Sequence, residues 1–389
     1  MSPPPPSLDT ADIRAFLDER HVALAVRLAA FAAREIAALP DPVDDSAARI
    51  QAREVLARLG RGGWLQPIAD QDWRACCLTR EALAAASPLA DAVFALQALG
   101  TVPILLAGHE ALRERWLAPV VAGRAMASFA MTEPDAGSDA AALTTAARRD
   151  GASYLLNGTK TFISNAGIAD FYTVFAATDR SKGAKGISCF VVPADAPGLR
   201  FVGPLVLSAP HPLGEIAFED CRVDAASRLG AEGDGFKLGL ATLDRVRATV
   251  AAAACGMGAR ALREALAYAT ARRQFGQPLA EFQLVQEKLA RMATDLTAAR
   301  LLTYRAAWTK DSGAERVTLE AAMAKAFATE AAQRIVDDAV QVLGGRGVLA
   351  SHPVDRLYRA VRALRIYEGT TEIQHLIIAG ALLRRAAGA

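Results

Sequence analysis

Cysteine is scarce in this sequence, and its spacing excludes two kinds of stabilisation. The 389 residues include five cysteines, and no two of them form a C-x-x-C pair or another spacing that is typical of zinc ligands. A disulfide framework is therefore not expected, and the composition favours the reducing cytoplasm. Three histidines, His109, His352 and His375, also lack ligand spacing, so no metal site is predicted. The cysteines are Cys76, Cys77, Cys189, Cys221 and Cys255.

An excess of positive charge is also missing. Lys and Arg number 44 against 42 Asp and Glu, a formal charge of +2, so the composition indicates neither a nucleic acid nor an anionic membrane as the partner. No stretch of about 18 uninterrupted strongly apolar residues indicates membrane insertion. The N-terminus lacks the charged and apolar regions of a signal peptide, and residues 1–7 are predicted to be a disordered tail.

The sequence does contain enough apolar residues for a large core. Hydrophobic residues make up 52% and charged residues 22%, which is typical of a globular chain with two or three domains. Apolar residues recur at helical spacing up to about residue 125 and again from Phe236. Pro40 and Pro42 end the first helical pattern, and Pro103 is expected to kink the third helix. The predicted helices span residues 9–39, 47–59, 91–107, 110–121, 236–272, 280–311, 315–343 and 371–386.

The segment between Ala127 and Gly233 has a different pattern. Short runs of β-branched and aromatic residues, such as residues 187–192, are separated by turn dipeptides such as Asn157-Gly158. The sequence therefore predicts an α+β protein. Its parts are an N-terminal all-α domain (1–125), a middle β domain of barrel or sandwich type (126–233) and a C-terminal all-α domain (234–389) of long antiparallel helices.

A carboxylate near the C-terminus is the candidate catalytic group. Glu368 lies just before a helix whose start near Thr371 is predicted by the capping-box pattern Thr371-x-x-Gln374. Tyr367 precedes Glu368, and Gly369 follows it and lets the backbone approach a ligand. These features suit a positioned base; a solvated loop glutamate is the alternative.

Other segments suit a bound nucleotide, and each also has a purely structural explanation. Residues 131–139 form a cradle for a planar ring or a phosphate, or else a tight turn. Phe162 and Ser164 share one face of a strand, where an aromatic ring against a flavin face and a hydroxyl near its edge would suit a flavin. Arg272-Arg273 and the glycines after Gln341 either contact a nucleotide or simply end their helices.

In this order the segments resemble the acyl-CoA dehydrogenase family. The resemblance covers nearly the whole chain and is weakest over about the first 90 residues. It implies an N-terminal helical domain, a middle β domain, a C-terminal four-helix bundle, bound FAD, an acyl-CoA substrate, electron transfer flavoprotein as acceptor, and a homotetramer assembled as a dimer of dimers. The segments that carry it are Met131-Thr132-Glu133-Pro134 with Gly137-Ser138-Asp139, Asn157-Gly158-x-Lys160 with Ile163-Ser164-Asn165, Leu243-Asp244-x-x-Arg247, Arg272-x-x-Phe275-Gly276, Gln341-Val342-x-Gly344-Gly345 and Tyr367-Glu368-Gly369-Thr370.

The resemblance also implies roles for individual residues. Glu368 matches the family's catalytic base, and Val246, at the position where some members carry the base instead, cannot accept a proton. The residues implied in acyl-CoA binding are Ser138, Asp244, Arg247, Tyr367 and Gly369. The residues implied in FAD binding are Phe129, Met131, Thr132, Gly137, Ser138, Phe162, Ser164, Arg272, Gln274, Phe275, Gln283, Gln341, Gly344, Gly345, Thr370 and Glu372, and those in 272–283 and 341–345 would reach the FAD of a neighbouring subunit.

The sequence departs from the family's pattern at three places, which concern CoA contacts more than the flavin. Residues 207–211 replace a Gly-x-Arg-x-Ser segment, Asp224 replaces a proline, and Phe162 replaces a common tryptophan. His211 is expected to be a loop histidine, with contact to a CoA phosphate as the alternative.

Several functions stay open within and beyond the fold. An acyl-CoA oxidase would pass electrons to oxygen, and a non-catalytic relative would only bind acyl-CoA or FAD. Glu368 argues against a flavin monooxygenase, and the absence of arginine from residues 91–107 disfavours a dicarboxyl substrate. The sequence leaves the acyl chain undefined.

Overall fold

The computed structural model describes residues 8–387, so the predicted disordered tail at 1–7 lies outside this range. The chain divides into two compact units. The first unit contains the described residues up to Pro40, Asp72–Asp91, and those from Arg247 onward. The second contains Asp41–Gln71 and Ala92–Val246. Each unit collects elements from distant parts of the sequence, and the sequential boundaries at 125 and 233 stay a prediction.

The predicted order of helices, strands and helices is confirmed. The α-helices in the described residues are α1 Glu19–Phe31, α2 Asp45–Arg61, α3 Gln66–Ala69, α4 Trp73–Ala86, α5 Pro88–Ala107, α6 Glu110–Val121, α7 Gly235–Ala271, α8 Gln283–Asp311, α9 Thr318–Leu343, α10 Pro353–Leu364 and α11 Thr371–Ala386. The strands are β1 Ala127–Ala130, β2 Ala146–Asp150, β3 Ser153–Ser164, β4 Phe171–Ala177, β5 Ile187–Pro193, β6 Leu199–Pro204, β7 Leu213–Asp224, β8 Arg228–Leu229, β9 Arg273–Gln274 and β10 Gln277–Pro278.

The prediction of one helix over residues 9–39 is wrong. The segment begins with a 3₁₀ helix at Ala11–Phe16, and α1 begins only at Glu19. The break lies at Asp18, whose extended backbone and side chain form a capping box with His21, which satisfies amide donors that would otherwise have no partner. The pattern of apolar residues continues across this cap, so periodicity alone did not show it.

Two helices longer than ten residues escaped prediction for different reasons. Nearly every residue of α4 is buried, so the helix has no polar face to produce a period. The other helix, α10, starts with Pro353 after His352, whose ring accepts a hydrogen bond from the Val354 amide. Proline at the first helical position is favourable because its missing N–H needs no partner there.

The second unit is built on one sheet with the strand order β6-β7-β3-β2-β4-β5-β8, and β1 pairs in parallel with β4. All seven residues of β4 are buried. Alternate side chains enter two clusters: Phe171 and Phe175 lie in one, and Tyr172 and Val174 lie in the other. Because both faces are covered, the strand reads as a continuous apolar run rather than an alternating one.

The helix α5 is the one described helix that is long and apolar enough to cross a membrane by length and composition. Its most apolar window is 83% buried within the protein, as in the core helix of a globular fold. Pro103 lies inside this helix, as predicted.

The first unit is centred on α9, which packs against α8, α10 and α11. Alanine allows this close packing, and most of the helix is buried. Lys325, among these buried residues, has no exposed surface. A buried lysine is rare without a partner, and its partner lies in the segment that carries Glu368.

Candidate active site

Glu368 lies on a strained turn between α10 and α11. Its φ angle is 56°, and that of Gly369 is 92°, both in the left-handed region that costs a residue with a side chain free energy. The φ angle of Gly369 favours glycine, and a Cβ atom there would lie 2.6 Å from Gln374 Nε2, which would have to shift. The turn therefore fixes the direction of the Glu368 side chain through a backbone conformation that the surroundings must hold.

Three buried side chains hold this turn by its carbonyl groups. Lys325 Nζ donates to Gly369 O at 2.5 Å, and Gln374 Nε2 donates to the same oxygen at 2.9 Å. Arg247 Nε donates to Glu368 O at 3.4 Å. Each donor is at most 4% exposed, and hydrogen bonds from charged groups are stronger than neutral ones. These contacts stabilise the positive φ angles.

The predicted capping box is wrong by one residue. The helix α11 does begin at Thr371, but Thr370 is the N-cap, with its hydroxyl accepting from the Ile373 amide. The Thr371 hydroxyl instead donates to Glu330 Oε1 at 2.8 Å, and Arg365 Nε donates to the same carboxylate at 2.7 Å. Thr371 is thus committed to α9.

The Glu368 carboxylate is desolvated and lies among opposing charges. Its Oε2 atom is buried and has no hydrogen-bond partner among the described residues. Burial raises the pKa of Glu368, and the positive charges of Arg80, Lys325 and Arg247 oppose this shift without cancelling it. A desolvated carboxylate with a raised pKa is a stronger base than a solvated one, and the solvated-loop alternative does not describe this side chain.

Arg80, one of the positive charges near Glu368, forms a buried ion pair with Asp91. Nε and Nη2 donate to the two carboxylate oxygens of Asp91 at 2.7 and 2.8 Å, and Nη1 donates to Thr249 Oγ1 at 3.0 Å. Both members of the pair are at most 2% exposed. The bidentate geometry fixes the guanidinium. Desolvation raises the pKa of Tyr367, and the positive charge of Arg80 opposes this shift.

In the second unit, the loop that follows β1 is held by a buried ion pair. Lys160 Nζ donates to Glu133 Oε1 at 2.8 Å and to Met131 O at 3.0 Å. Burial raises the pKa of Glu133, but Lys160, Thr145 and Thr144 lower it to about 2. The pair leaves Gly137 and Ser138 exposed on the loop, while Met131 and Phe129 belong to the hydrophobic cluster beneath it.

The strand β3 ends in a bulge that presents an aromatic ring. Its register with β7 shifts between Lys160 and Ile163, and Phe162 has a φ angle of 55° and is 61% exposed. A bulge commonly redirects a side chain next to a functional site. Ser164 follows two residues later, and its hydroxyl lies 2.7 Å from His211 Nε2.

In the first unit, β9 and β10 form a hairpin whose two-residue loop is Phe275-Gly276. Both loop residues have positive φ angles, 50° and 83°, as a type I′ turn requires. The Phe275 side chain is 95% exposed. Arg272, Gln274 and Gln283 are also exposed, as are Gln341 and the glycines Gly344 and Gly345 at the end of α9.

These residues fit a large planar nucleotide cofactor. A Cβ atom built on Gly137, Gly344 or Gly345 would meet no atom within 4 Å, so each backbone is open to a ligand. Exposed Phe162 suits stacking on an aromatic ring, and Arg272 suits a pyrophosphate. Within each unit, the residues therefore fit contacts to FAD.

Sequence reasoning missed Lys325 and Arg80. Lys325 carried one signal, a charged residue within the alanine pattern of α9. Arg80 carried no signal, because α4 was not predicted.

The predicted substrate residues Asp244 and Arg247 lie one helical turn apart on α7, and Val246 is 1% exposed. Among the described residues, no group of three or more His, Cys, Asp or Glu is placed to hold a metal ion.

Comparison with known proteins defines the class to which this fold and site belong. The sequence matches the acyl-CoA dehydrogenase N-terminal domain over residues 18–124, the middle domain over 128–221 and the C-terminal domain over 233–383. The chain therefore belongs to the acyl-CoA dehydrogenase family, and it is an FAD-dependent oxidoreductase.

Three similar proteins bear on its function. A 3-(aryl)acrylate reductase of Clostridium sporogenes is 40% identical, over 95% of this chain and 100% of that protein. The butyryl-CoA dehydrogenase of Megasphaera elsdenii is 35% identical with a TM-score of 0.88, over 95% of this chain and 99% of that one. A chain in a structure of the electron transferring flavoprotein of Acidaminococcus fermentans is 35% identical with a TM-score of 0.90, over the same shares.

Proposed function

We propose that this protein catalyses the α,β-dehydrogenation of an acyl-CoA thioester to the trans-2-enoyl-CoA, with Glu368 removing the α proton. The observation that carries the proposal is the buried Oε2 atom of Glu368, which has no hydrogen-bond partner within residues 8–387, on a turn held at Gly369 O by Lys325. The proton α to a thioester is only weakly acidic, so the base needs a raised pKa and a fixed position. Both features are present in this carboxylate.

The chain's own residues stabilise the charge that develops as the proton leaves. The Glu368 backbone amide donates to the thioester oxygen, where negative charge accumulates. Nearby, Lys325 and Arg247 supply positive charge. The carboxylate thus acts on the α proton, and the backbone amide acts on the adjacent thioester oxygen. Bound FAD supplies the two-electron acceptor for the β hydrogen.

Each compact unit carries residues that are proposed to contact FAD. In the second unit Phe162 would lie against the isoalloxazine face and Ser164 near its edge, while exposed Ser138 and Gly137 would bind phosphate oxygens. From the first unit, Arg272 and Phe275 reach the FAD of a neighbouring subunit. An apolar side chain that is 95% exposed on a hairpin supports a contact of this kind.

We further propose a homotetramer located in the cytoplasm. Besides Phe275, exposed apolar residues on α8 and α11 support subunit contacts: Leu284 is 81%, Leu376 68% and Leu383 70% exposed. The five cysteines are buried free thiols, as suits a reducing compartment. Electron transfer flavoprotein is the proposed acceptor, supported by the similarity to a chain in the Acidaminococcus structure.

A second candidate is the reverse reaction, reduction of an acrylate double bond. It is favoured by the reductase that is 40% identical over its full length. In that direction Glu368 would deliver a proton to the α carbon as a general acid. A raised pKa suits this role too, because the acid must hold its proton near neutral pH.

One anaerobic experiment separates these functions. Acyl-CoAs of graded length and branching are added to the oxidised enzyme, and 2-enoyl and 3-aryl acryloyl thioesters are added to the dithionite-reduced enzyme. Loss of the flavin band with a saturated acyl-CoA, followed by rapid transfer to an artificial acceptor or electron transfer flavoprotein, supports the dehydrogenase. Rapid reoxidation by an acryloyl compound alone supports the reductase, and rapid peroxide formation in air supports an oxidase. No reaction in any arm would overturn the proposal in favour of a binding protein.

A further inference from the structure

His211 lies in a segment that departs from the family's pattern, and its ring packs against Ser164. Nε2 lies 2.7 Å from Ser164 Oγ, and Nδ1 is buried without a hydrogen-bond partner among the described residues. The ring is thus engaged with Ser164, and its contact with a CoA phosphate stays a prediction. Burial lowers the pKa of His211 to about 4; Asp45 opposes this shift and Arg49 adds to it. The imidazole is neutral at physiological pH.

The backbone around this contact is held on both sides. Arg49 Nη1 donates to Ala166 O at 2.5 Å, and Nη2 donates to Leu213 O at 2.7 Å. The Asn165 backbone N–H donates to Pro212 O at 2.8 Å. One guanidinium thus clamps the segment after Ser164 to the segment after His211, and the position of the two side chains follows from this frame.

The unpartnered Nδ1 atom indicates which nitrogen carries the proton. A neutral imidazole has one N–H donor and one acceptor. A buried N–H without a partner is rarer than an acceptor without one, so the favoured tautomer has the proton on Nε2. In this tautomer the His211 Nε2–H donates to Ser164 Oγ, and the hydroxyl proton of Ser164 is free to donate elsewhere.

We propose that His211 is a positioning residue that turns the Ser164 hydroxyl proton toward the edge of the flavin. The inference rests on the proposed placement of Ser164 beside FAD. A hydrogen bond donated to an acceptor atom of the flavin ring withdraws electron density and favours the reduced form. His211 would thus raise the reduction potential without touching the cofactor.

Two substitutions at one position test this directly. In His211→Gln the amide nitrogen reaches the position of Nε2 and still donates, whereas in His211→Asn the amide reaches only the position of Nδ1. The control is His109→Asn, the same change at an exposed histidine whose Nε2 bonds Ala226 O at 2.7 Å. The readouts are the visible spectrum of the bound flavin and its reduction potential, measured with a reference dye at matched FAD occupancy.

His211→Asn is expected to favour the oxidised flavin by about twofold to tenfold. This corresponds to a reduction potential that is lower by up to about 30 mV for a two-electron couple. Ser164→Ala should give the same shift, and the double variant no more than either single change, because both remove one interaction. His211→Gln and His109→Asn should stay at the wild-type potential.

The proposal is overturned if His211→Asn leaves the potential unchanged, if its shift adds fully to that of Ser164→Ala, or if His211→Gln behaves like His211→Asn. Should His211→Asn fail to hold FAD, nitrogen-15 NMR of the wild-type protein decides: a proton on Nδ1, or a cationic ring at pH 6, refutes the assignment. None of these readouts needs an acyl-CoA substrate, so failure of the dehydrogenase proposal would be seen separately.

Discussion

The exchange Glu368→Gln separates a catalytic base from a residue that only holds the turn. An amide keeps the shape of the carboxylate but cannot accept the substrate proton. Oε2 has no hydrogen-bond partner among the described residues, so the exchange breaks no hydrogen bond of that atom. The turn is held through carbonyl oxygens by Lys325 and Arg247, and these contacts remain.

The structure predicts opposite effects on rate and on stability. General base catalysis contributes about 100-fold to 10,000-fold, so flavin reduction by acyl-CoA should slow by at least that factor. Because the pKa of Glu368 is raised in the folded protein, its ionised form is destabilised by folding. The neutral variant should therefore be as thermally stable as the wild type at pH 7 or slightly more so, and this difference should vanish as the pH falls toward 4, where the wild-type group is protonated.

The assay is single-turnover flavin reduction under anaerobic conditions with the best substrate from the acyl-CoA screen, at matched FAD occupancy. Thermal unfolding of both proteins between pH 4 and 8 accompanies it. Glu315→Gln makes the same chemical change at an exposed loop position and should leave rate and stability at wild-type values. A Glu368→Gln rate within a fewfold of wild type would refute the base assignment, and loss of FAD with a lower melting temperature would make Glu368 a scaffold residue.

Three further predictions follow from the same contacts. The raised pKa of Glu368 places the acidic limb of the pH profile for flavin reduction above the ordinary glutamate value of about 4.3, so the rate should rise with pH through this limb, and an unshifted limb would contradict the burial argument. Lys325→Met removes a positive charge that lowers the pKa of Glu368 and also removes the hydrogen bond to Gly369 O, so the acidic limb should move to higher pH and flavin reduction at pH 7 should slow by about tenfold. The control is Lys237→Met at an exposed lysine, and an unmoved limb in Lys325→Met would exclude the electrostatic role. Phe275→Ala should weaken FAD binding and subunit association together, measured by FAD release and analytical ultracentrifugation, whereas Val43→Ala, at a side chain that is 87% exposed, should change neither; tight FAD on a stable Phe275→Ala oligomer would remove the intersubunit assignment.

How far the sequence predicted this structure depended on the range of the interactions. Glu368, Gly369 and the start of α11 were identified because turn and cap signals lie within a few residues of one another. Lys325 was not, because its partner Gly369 lies 44 residues away and no local signal links them.

The failed helix predictions share a related cause. Periodicity needs a contrast between buried and exposed faces. The helix α4 is buried on nearly all sides and offers no such contrast, so Arg80, which it carries, could not be assigned. At Asp18 the opposite occurred: the apolar spacing continued across the N-cap although the helix begins only after it, so periodicity predicted one helix where there are two.

The direction of the reaction does not alter the requirement for Glu368. The group that removes the α proton in dehydrogenation returns it in reduction, because both directions pass through the same transition state. The buried carboxylate and the cations around it therefore serve a dehydrogenase and a reductase equally well. Direction is decided instead by the reduction potential of the bound flavin and by its electron partner. The hydroxyl of Ser164 and the ring of His211 lie 2.7 Å apart, and His211 belongs to a segment where this sequence departs from its family. They are the residues through which this chain would set that potential.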